Sequence, residues 1–547
     1  MNEGTKTGIF WLVAVGMMSI AAFVAWPRAT TEDSKRFVAG FPLFDRFTDP
    51  LAAASMKIVT FNDEQGQLTS FEVRKDPESG LWTIPSRGGY PADAIEQMRD
   101  AANSLVGLKI LDIQTSNAED HDDLGVEEPK IEDLEVGDEG VGRLVSFKDE
   151  KQETLAALII GDSPKDDREK RYVRIPGQDP VYVVKLDISP LTTRFQDWIE
   201  EDLLQLSSID IQDMEIKDYN AASNPITSGQ NQGQMQISWS RNYAATVRMV
   251  NTDWQLESLL EYDPKNPLAD PTVVEVTDDQ VLNRLKLDQM KNALDDLRIV
   301  NVARKPDGMS ANLRANQDLL SDKSAITSLA QRGFYPVPSG PNGEMEILSA
   351  NGELSVGLQE GVRYIMRFGN IAGVTNQEDA TGDNSIEVEA GVNRFLLVTT
   401  VVDESKFPPP ELKSVPGTLE ELDELLNRGG NGDDADPQSQ ESDDELTKEE
   451  RLERLEAEQE KITKENRRKL DERDDRIEVA RRRVRELNAR FADWYYVIPE
   501  DTYSVLRIKR DQLFEGTAAA AGISPNILQP PLSLPPVPAG LGPLQTP

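Results

Sequence analysis

The sequence predicts an α+β fold: two tandem copies of a mostly antiparallel sheet plus helix unit. An N-terminal transmembrane helix precedes them, and a long charged helical insertion interrupts the second copy. Three observations carry this. Asn103-Ser-Leu-Val-Gly-Leu-Lys-Ile-Leu-Asp-Ile113 matches Asn292-Ala-Leu-Asp-Asp-Leu-Arg-Ile-Val-Asn-Val302 almost position for position, each an amphipathic helix running into a strand. Upstream of each lies a strand opening Met-x-Ile (Met56 to Ile58, Met214 to Ile216), and then Trp82 or Trp254. Downstream, Arg171-Tyr-Val-Arg-Ile175 is placed opposite Arg363-Tyr-Ile-Met-Arg-Phe368. Self-similarity over this length marks a duplicated domain rather than a short-period solenoid.

The elements follow in order. Gly8 to Trp26 is an uncharged apolar run, about 28 Å long at helical rise and so near the thickness of a bilayer core. It exceeds the usual signal-peptide core, and no small-x-small cleavage site follows, so residues 1–28 are expected to be an uncleaved single-pass anchor. Trp11 and Trp26 suit the two interfaces. Lys6 on one side against Arg28, Lys35 and Arg36 on the other favours a cytoplasmic body. Long domains cross largely regardless of charge, however, and the expectation is an extracytoplasmic one. Residues 29–55 are read as a juxtamembrane linker whose Phe37, Phe41, Phe44 and Phe47 dock on a domain or the membrane surface.

Residues 56–206 form the first copy. Lys57–Phe61 and Leu68–Arg74 alternate about a polar turn and predict a β-hairpin; Leu81–Ile84 is a third strand. Ile95, Met98, Ala102 and Leu105 recur at helical spacing after Pro91. Strands follow at Lys109–Ile113, Arg143–Phe147, Leu155–Ile160, Tyr172–Ile175 and Val181–Lys185. Leu191–Leu206 is read as a helical connector. Residues 207–403 form the second copy, with strands at Met235–Trp239, Ala245–Val250 and Trp254–Leu256, and a helix through Leu285, Met290 and Leu294. Further strands lie at Glu344–Leu348, Leu354–Leu358, Arg363–Phe368 and Arg394–Val402. Sheet plus packed helix is the α+β class.

Residues 404–493 are the charged insertion. It holds an acidic helix around Leu419–Leu426, a Gly/Asp/Ser-rich run from Gly429 to Glu445 expected to be disordered, and a helix over Leu446–Phe491. Residues 494–515 supply a returning strand, Trp494–Ile498, and residues 516–547 a disordered Pro-rich tail. In the long helix Leu452, Leu455 and Ile462, then Ile477, Val484, Leu487 and Phe491, make a thin apolar stripe. The stripe offers a coiled-coil seam for a partner or a second copy. Its alternative is a solvated helix held by i,i+4 ion pairs.

Composition removes much chemistry. The net charge of −38 over 547 residues excludes a basic footprint for nucleic acid. There is no cysteine, and His121 is the single histidine, so thiol nucleophiles, disulfides and Cys/His zinc sites are impossible. A Ser-His-Asp mechanism would need His121, which sits in Glu-Asp-His-Asp-Asp and is better read as a solvated loop. The acidic clusters Glu119–Asp123 and Asp433–Glu445 lack the spacing of a Ca²⁺ loop. Walker A, Gly-x-Ser-x-Gly and a strand-following Gly-x-Gly-x-x-Gly are missing. Trp82 and Trp254, at equivalent places, are read as core packing rather than a carbohydrate platform. No catalytic, cofactor-binding or metal residue is assigned, and no cofactor is implied.

Leu124-Gly-Val126 with Pro129, Leu158-Ile-Ile-Gly-Asp162, Arg171-Tyr-Val173, Val181-Tyr-Val-Val184 and Trp198 before Leu203-Leu204 resemble the bacterial membrane-anchored family called domain of unknown function 4340. The resemblance covers most of residues 56–400 and Trp494–Leu513. It implies an N-terminal anchor, an exported β-rich body, and encoding beside gliding-motility-type ABC transporter components. The functional expectation is a non-enzymatic accessory or scaffold protein of the cell envelope, anchored in the bacterial inner membrane with a periplasmic body. It would work with an ABC-type permease or other envelope proteins, and its charged helix could self-associate. The rivals are an envelope hydrolase using acidic residues and a metal-dependent adhesion module.

Overall fold

The computed structural model describes residues 39–63, 66–130, 138–225, 235–266, 269–275, 280–339, 344–374, 391–422 and 447–515. The apolar run Gly8–Trp26, the Gly429–Glu445 run and the tail 516–547 lie outside the described residues. Among the described residues no helix is long and apolar enough to cross a membrane. The chain is α+β with large antiparallel sheets, and it divides into two compact units near Glu200/Glu201.

The first unit is a nine-stranded sheet in the order β4-β3-β2-β1-β6-β7-β8-β9-β5. It opens with the hairpin β1 (Ser55–Asn62) and β2 (Gln67–Lys75), registered Met56 against Val73 and closed where Asn62 meets Gln67. The edge follows through β3 (Trp82–Ile84) and β4 (Tyr90–Pro91). Helix α1 (Ile95–Asn103) then leads into β5 (Ile110–Thr115) at the opposite edge. β6 (Arg143–Lys148), β7 (Thr154–Ile160), β8 (Lys170–Arg174) and β9 (Val181–Lys185) fill the middle. Period-two alternation sends Met56, Ile58, Val145, Phe147 and Leu158 to one buried face. Met98, Ala101, Ala102 and Leu105 of the α1 segment are buried too, while Ile95 at its start stays exposed. The linker docks here: Gly40 and Leu43 donate backbone hydrogen bonds to Ile110 and Leu108, and the Phe47 ring lies 5.8 Å from Phe147.

The second unit holds another nine-stranded sheet, in the order β13-β12-β11-β10-β18-β19-β20-β21-β14. Taken strand by strand along the chain, this is the order of the first sheet. β10 (Ile211–Pro225) pairs with β11 (Met235–Val250), then come β12 (Asp253–Glu261) and β13 (Thr272–Val273). Helix α2 (Arg284–Asp295) leads into β14 (Asn301–Arg304). A smaller sheet follows, β15 (Arg314–Ala315), β17 (Glu344–Ser349) and β16 (Phe334–Ser339), with α3 (Gln317–Ser321) and α4 (Lys323–Gln331). Leu313, Leu319, Leu329, Phe334 and Ile347 from this excursion share one core with Leu397 and Tyr495 of the large sheet. β18 (Glu353–Leu358), β19 (Val362–Val374) and β20 (Val392–Val402) resume that sheet. β21 (Trp494–Pro499) then pairs with β20 and β14 and is followed by α6 (Glu500–Leu506).

Between β20 and β21 runs α5 (Lys448–Phe491), opened by a capping box of Thr447 and Glu450. It is not a free arm along its length. Its last turns pack on β20, and Phe491 contacts the rings of Tyr364 and Tyr496 at 6.4 and 6.1 Å. Its first half is strapped by residues 407–422. Gln459 donates to the Pro416 carbonyl (2.7 Å), Asn466 exchanges two hydrogen bonds with the Lys413 backbone, and Arg473 donates to the Phe407 carbonyl (3.0 Å). Leu455, Ile462, Leu487 and Phe491 are thereby buried within the chain, so most of the seam read from the sequence is occupied intramolecularly, while Leu452 at its start stays exposed.

Four sequence readings change. Met235–Trp239 and Ala245–Val250 are one strand, because a bulge at Asp218/Tyr219 absorbs Asn242 instead of ending the ladder. Arg171–Ile175 and Arg363–Phe368 are not counterparts: the first lies in β8, the eighth strand of its unit, and the second in β19, which holds the place of β7. Leu191–Leu206 is not a helix but an irregular segment with a 3-10 turn at Phe195–Trp198. There Thr192 and Arg194 bind the Asp197 carboxylate, and side chains replace helical hydrogen bonds. Trp254 is buried and donates its indole N–H to Asp288 of α2 (2.9 Å), whereas Trp82 is only half-buried. Trp254→Ala is therefore expected to cost about 3–5 kcal/mol through cavity formation, and Trp82→Ala about 1–2 kcal/mol. Equal losses in urea denaturation would contradict this asymmetry.

Candidate functional site

The family-like motifs of the first unit converge on one small region. Gly125 has φ +68°, a left-handed conformation that favours glycine, and this turns Leu124-Gly-Val126 back over the sheet. Asp162 N–H donates to the Leu124 carbonyl (3.1 Å), Gly161 N–H to Tyr172, and Tyr172 N–H to Asp162. A Cβ on Gly161 would stand 2.4 Å from the Leu124 carbonyl oxygen, so glycine is what permits the loop to lie on the strand end. Val126, Ile159 and Val181 form the apolar centre, with Leu124, Leu144 and Tyr172 around it. Arg174 closes the region: its Nε donates to the Val126 carbonyl (2.9 Å) and Nη1 to the Gln178 carbonyl (3.1 Å). The chemistry of this cluster is packing and backbone satisfaction.

His121 belongs to the same loop and is nearly fully buried, not solvated as the sequence reading had it. Its Nε2–H donates to the Asp179 carbonyl (2.8 Å), which ties the loop to the β8–β9 turn. In the acidic cluster around it, Asp120 accepts from the Thr115 hydroxyl and Asp122 accepts the Gly125 N–H through its carbonyl. Among the described residues no group of three or more His, Asp or Glu side chains is placed to hold a metal ion.

The second unit concentrates buried charge that sequence reasoning missed. Asp213 of β10 accepts from Arg363 Nη2 (2.6 Å) and Lys406 Nζ (2.5 Å), and Arg363 also holds Asp403 (2.6 Å). Burial opposes the charge of Arg363 and Asp403, but their mutual ion pair and the Asp213 and Ser405 contacts reverse this. The guanidinium is held above, and the Asp403 carboxyl below, the ordinary value. A second knot joins β10, β17, β18 and β19. Glu353 accepts from Lys217 (2.8 Å) and Arg367 (2.7 Å), and Arg367 reaches Glu346 and the Ile347 carbonyl. Arg367 and Lys217 together outweigh burial and keep Glu353 ionised. A third knot fixes α6: Arg394 grips both oxygens of Glu500 at 2.6 Å and stacks over Tyr503, while Arg507 pairs with Asp218. A hollow of about 400 Å³ beside Glu404, Arg473, Ile477 and Arg481 has walls of mixed charge, and Arg473 and Arg481 already have partners there.

Lys305, just past β14, is 7% exposed. Its Nζ donates to the Phe491 carbonyl (2.9 Å) at the end of α5, and its backbone N–H to the Asp493 carbonyl (2.7 Å). Burial pushes the ammonium pKa down to about 7, against a smaller opposing pull from Asp493. The unfolded lysine titrates near 10.4, so between about pH 7 and 10 the unfolded chain binds the extra proton. Stability from this group therefore rises with pH across that window, by at most about 1.4 kcal/mol per pH unit. Going from pH 7 to 9, wild type is expected to gain on the order of 2 kcal/mol relative to Lys305→Met. Parallel stability profiles of the two proteins would contradict it.

No curated protein and no solved structure matches the chain. Residues 82–316, from the third strand of the first sheet to the small sheet of the second unit, match the family model described as Domain of unknown function (DUF4340).

Proposed function

We propose that this chain is a membrane-tethered accessory protein of the cell envelope that works by binding rather than by catalysis. The observation that carries the reading is where the ionisable groups go. Asp213, Glu353, Arg367 and Arg394, all buried in the second unit, and the partly buried Arg363 each bridge two or more elements of its sheet system. The family-like motifs of the first unit likewise close a loop on a strand end. Groups so engaged hold shape, and shape on broad antiparallel sheets is what a binding scaffold needs. We further propose that the two sheets arose by duplication, since their strand orders coincide. The small sheet and α5 would then be insertions into the second copy. The tether is the Gly8–Trp26 run, in a bacterial inner membrane with the body extracytoplasmic, and the resemblance favours an ABC-type permease as partner.

The test is fractionation followed by capture. Carbonate-washed membranes should retain the full-length chain, and crosslinking before solubilisation should recover an integral membrane partner. A mature N-terminus near Ala29 in the soluble fraction would refute the tether. Hydrolytic turnover lost on replacing a single acidic residue, with stability unchanged, would favour the hydrolase instead.

A further inference from the structure

We infer that the outward face of α5 is a self-recognition surface that pairs antiparallel with the same helix of a second copy. The face opposite the strapped stripe is exposed along its length and reads in blocks. Glu456 and Glu460 come first, then Lys464 and Arg467. Asp471, Asp474 and Glu478 follow, then Arg481 and Arg485. These positions recur at three- and four-residue spacing and so share one side of the helix. A shallow hollow of about 1010 Å³ runs along its centre, bordered by Glu460, Lys464, Arg467 and Asp471.

The block order decides the geometry. Turning a second copy end for end about a point between Leu470 and Asp471 sets Arg485 opposite Glu456, Arg481 opposite Glu460, and Arg467 opposite Asp474. Every acidic block then meets a basic one. A parallel pair in register would set each block against its like, which is repulsive. Leu470 is 41% exposed, lies at the centre, and adds an apolar contact near the axis. The pairs available within one copy compete weakly. Arg467–Asp471 spans 3.9 Å with both side chains more than two-thirds exposed, and Arg481–Glu478, closer at 2.8 Å, has both side chains more than half exposed; exposed pairs of this kind contribute about 0–1 kcal/mol. The net charge of −38 repels at long range, but screening at physiological salt limits this to about 8 Å. Local complementarity along 44 residues, about 66 Å of helix, prevails at contact.

The absence of cysteine makes the test direct, because an introduced thiol is the only one in the chain. In detergent-solubilised full-length protein, Leu470→Cys should form a covalent dimer with a short bis-maleimide, while Leu452→Cys, far from the axis, should not. Both residues are exposed. Dimer from both variants would mean parallel or random association, and dimer from neither would mean none; each overturns the inference. Independently, reversing Arg481 and Arg485 to Glu should weaken dimerisation by about tenfold or more. Adding Glu456→Lys and Glu460→Lys should then restore it. Failure of the restoring pair to recover the dimer also overturns the antiparallel register.

Discussion

Asp213→Ala is expected to destabilise the second unit by about 3–5 kcal/mol, the largest loss anticipated from any single carboxylate here. The side chain is 2% exposed and serves two cations at once, Arg363 at 2.6 Å and Lys406 at 2.5 Å. Removing it leaves both cations to one remaining carboxylate, Asp403, which already caps the 3-10 turn Glu404–Lys406 through Ser405. Desolvated cations without counter-charge are the reason that breaking a buried pair costs far more than the pair contributes. The strand beside it is shaped for this carboxylate: a Cβ on Gly357 would fall 2.7 Å from both Asp213 oxygens. Asp213→Asn keeps the shape but not the charge and should fall between wild type and alanine. The exposed pair Arg248–Glu257 provides the control, where Glu257→Ala should cost under about 1 kcal/mol. Urea denaturation decides: a loss for Asp213→Ala no larger than the control would refute the account.

That knot also shows what could not be read from the chain. Arg363 is 150 residues from Asp213 and Lys406 is 193, so no local spacing announces the contact. Charged residues are abundant in this sequence, and abundance hid the few that are buried. The repeat was legible for the opposite reason. Met56 and Met214, or Ile110 and Ile299, are fully buried at equivalent places, and alternation of apolar with polar residues records burial directly. The same signal misled at Arg171 and Arg363, because an Arg-Tyr-apolar alternation suits any strand of such a sheet and does not say which one. The candidate chemistry behaved similarly. His121 in an acidic run looked solvated, yet its imidazole is buried against the Asp179 carbonyl, a partner that only the β8–β9 turn brings near. In α5 the stripe was visible, but what covers it was not. The strap supplying Lys413 and Pro416 has no periodicity, and apart from the Lys413–Glu465 ion pair its bonds to the helix use its backbone groups.

α5 joins the sheet at the open edge of β20. β21 pairs with β20 only over Asn393–Leu396, so the edge of β20 beyond Leu396 would present unpaired backbone groups. Asn488 satisfies it there. Its side-chain Oδ1 accepts the Thr400 N–H at 2.8 Å and its Nδ2 donates to the Thr400 carbonyl at 2.8 Å, which is the pattern of a strand neighbour supplied by one carboxamide. Thr400 is 1% exposed, so water cannot take over when the amide is removed. Asn488→Ala should therefore leave a buried donor and a buried acceptor unsatisfied, at about 2–4 kcal/mol in total. Asn488→Asp keeps the acceptor but turns an anion toward the Thr400 carbonyl, and should be at least as damaging. Hydrogen exchange localises the effect: protection of the Thr400 amide should fall in both variants, while that of Leu354, in β18, changes only by the global loss. If Thr400 stays as protected as in wild type, the carboxamide is not what closes this edge, and α5 is held by its apolar turns alone.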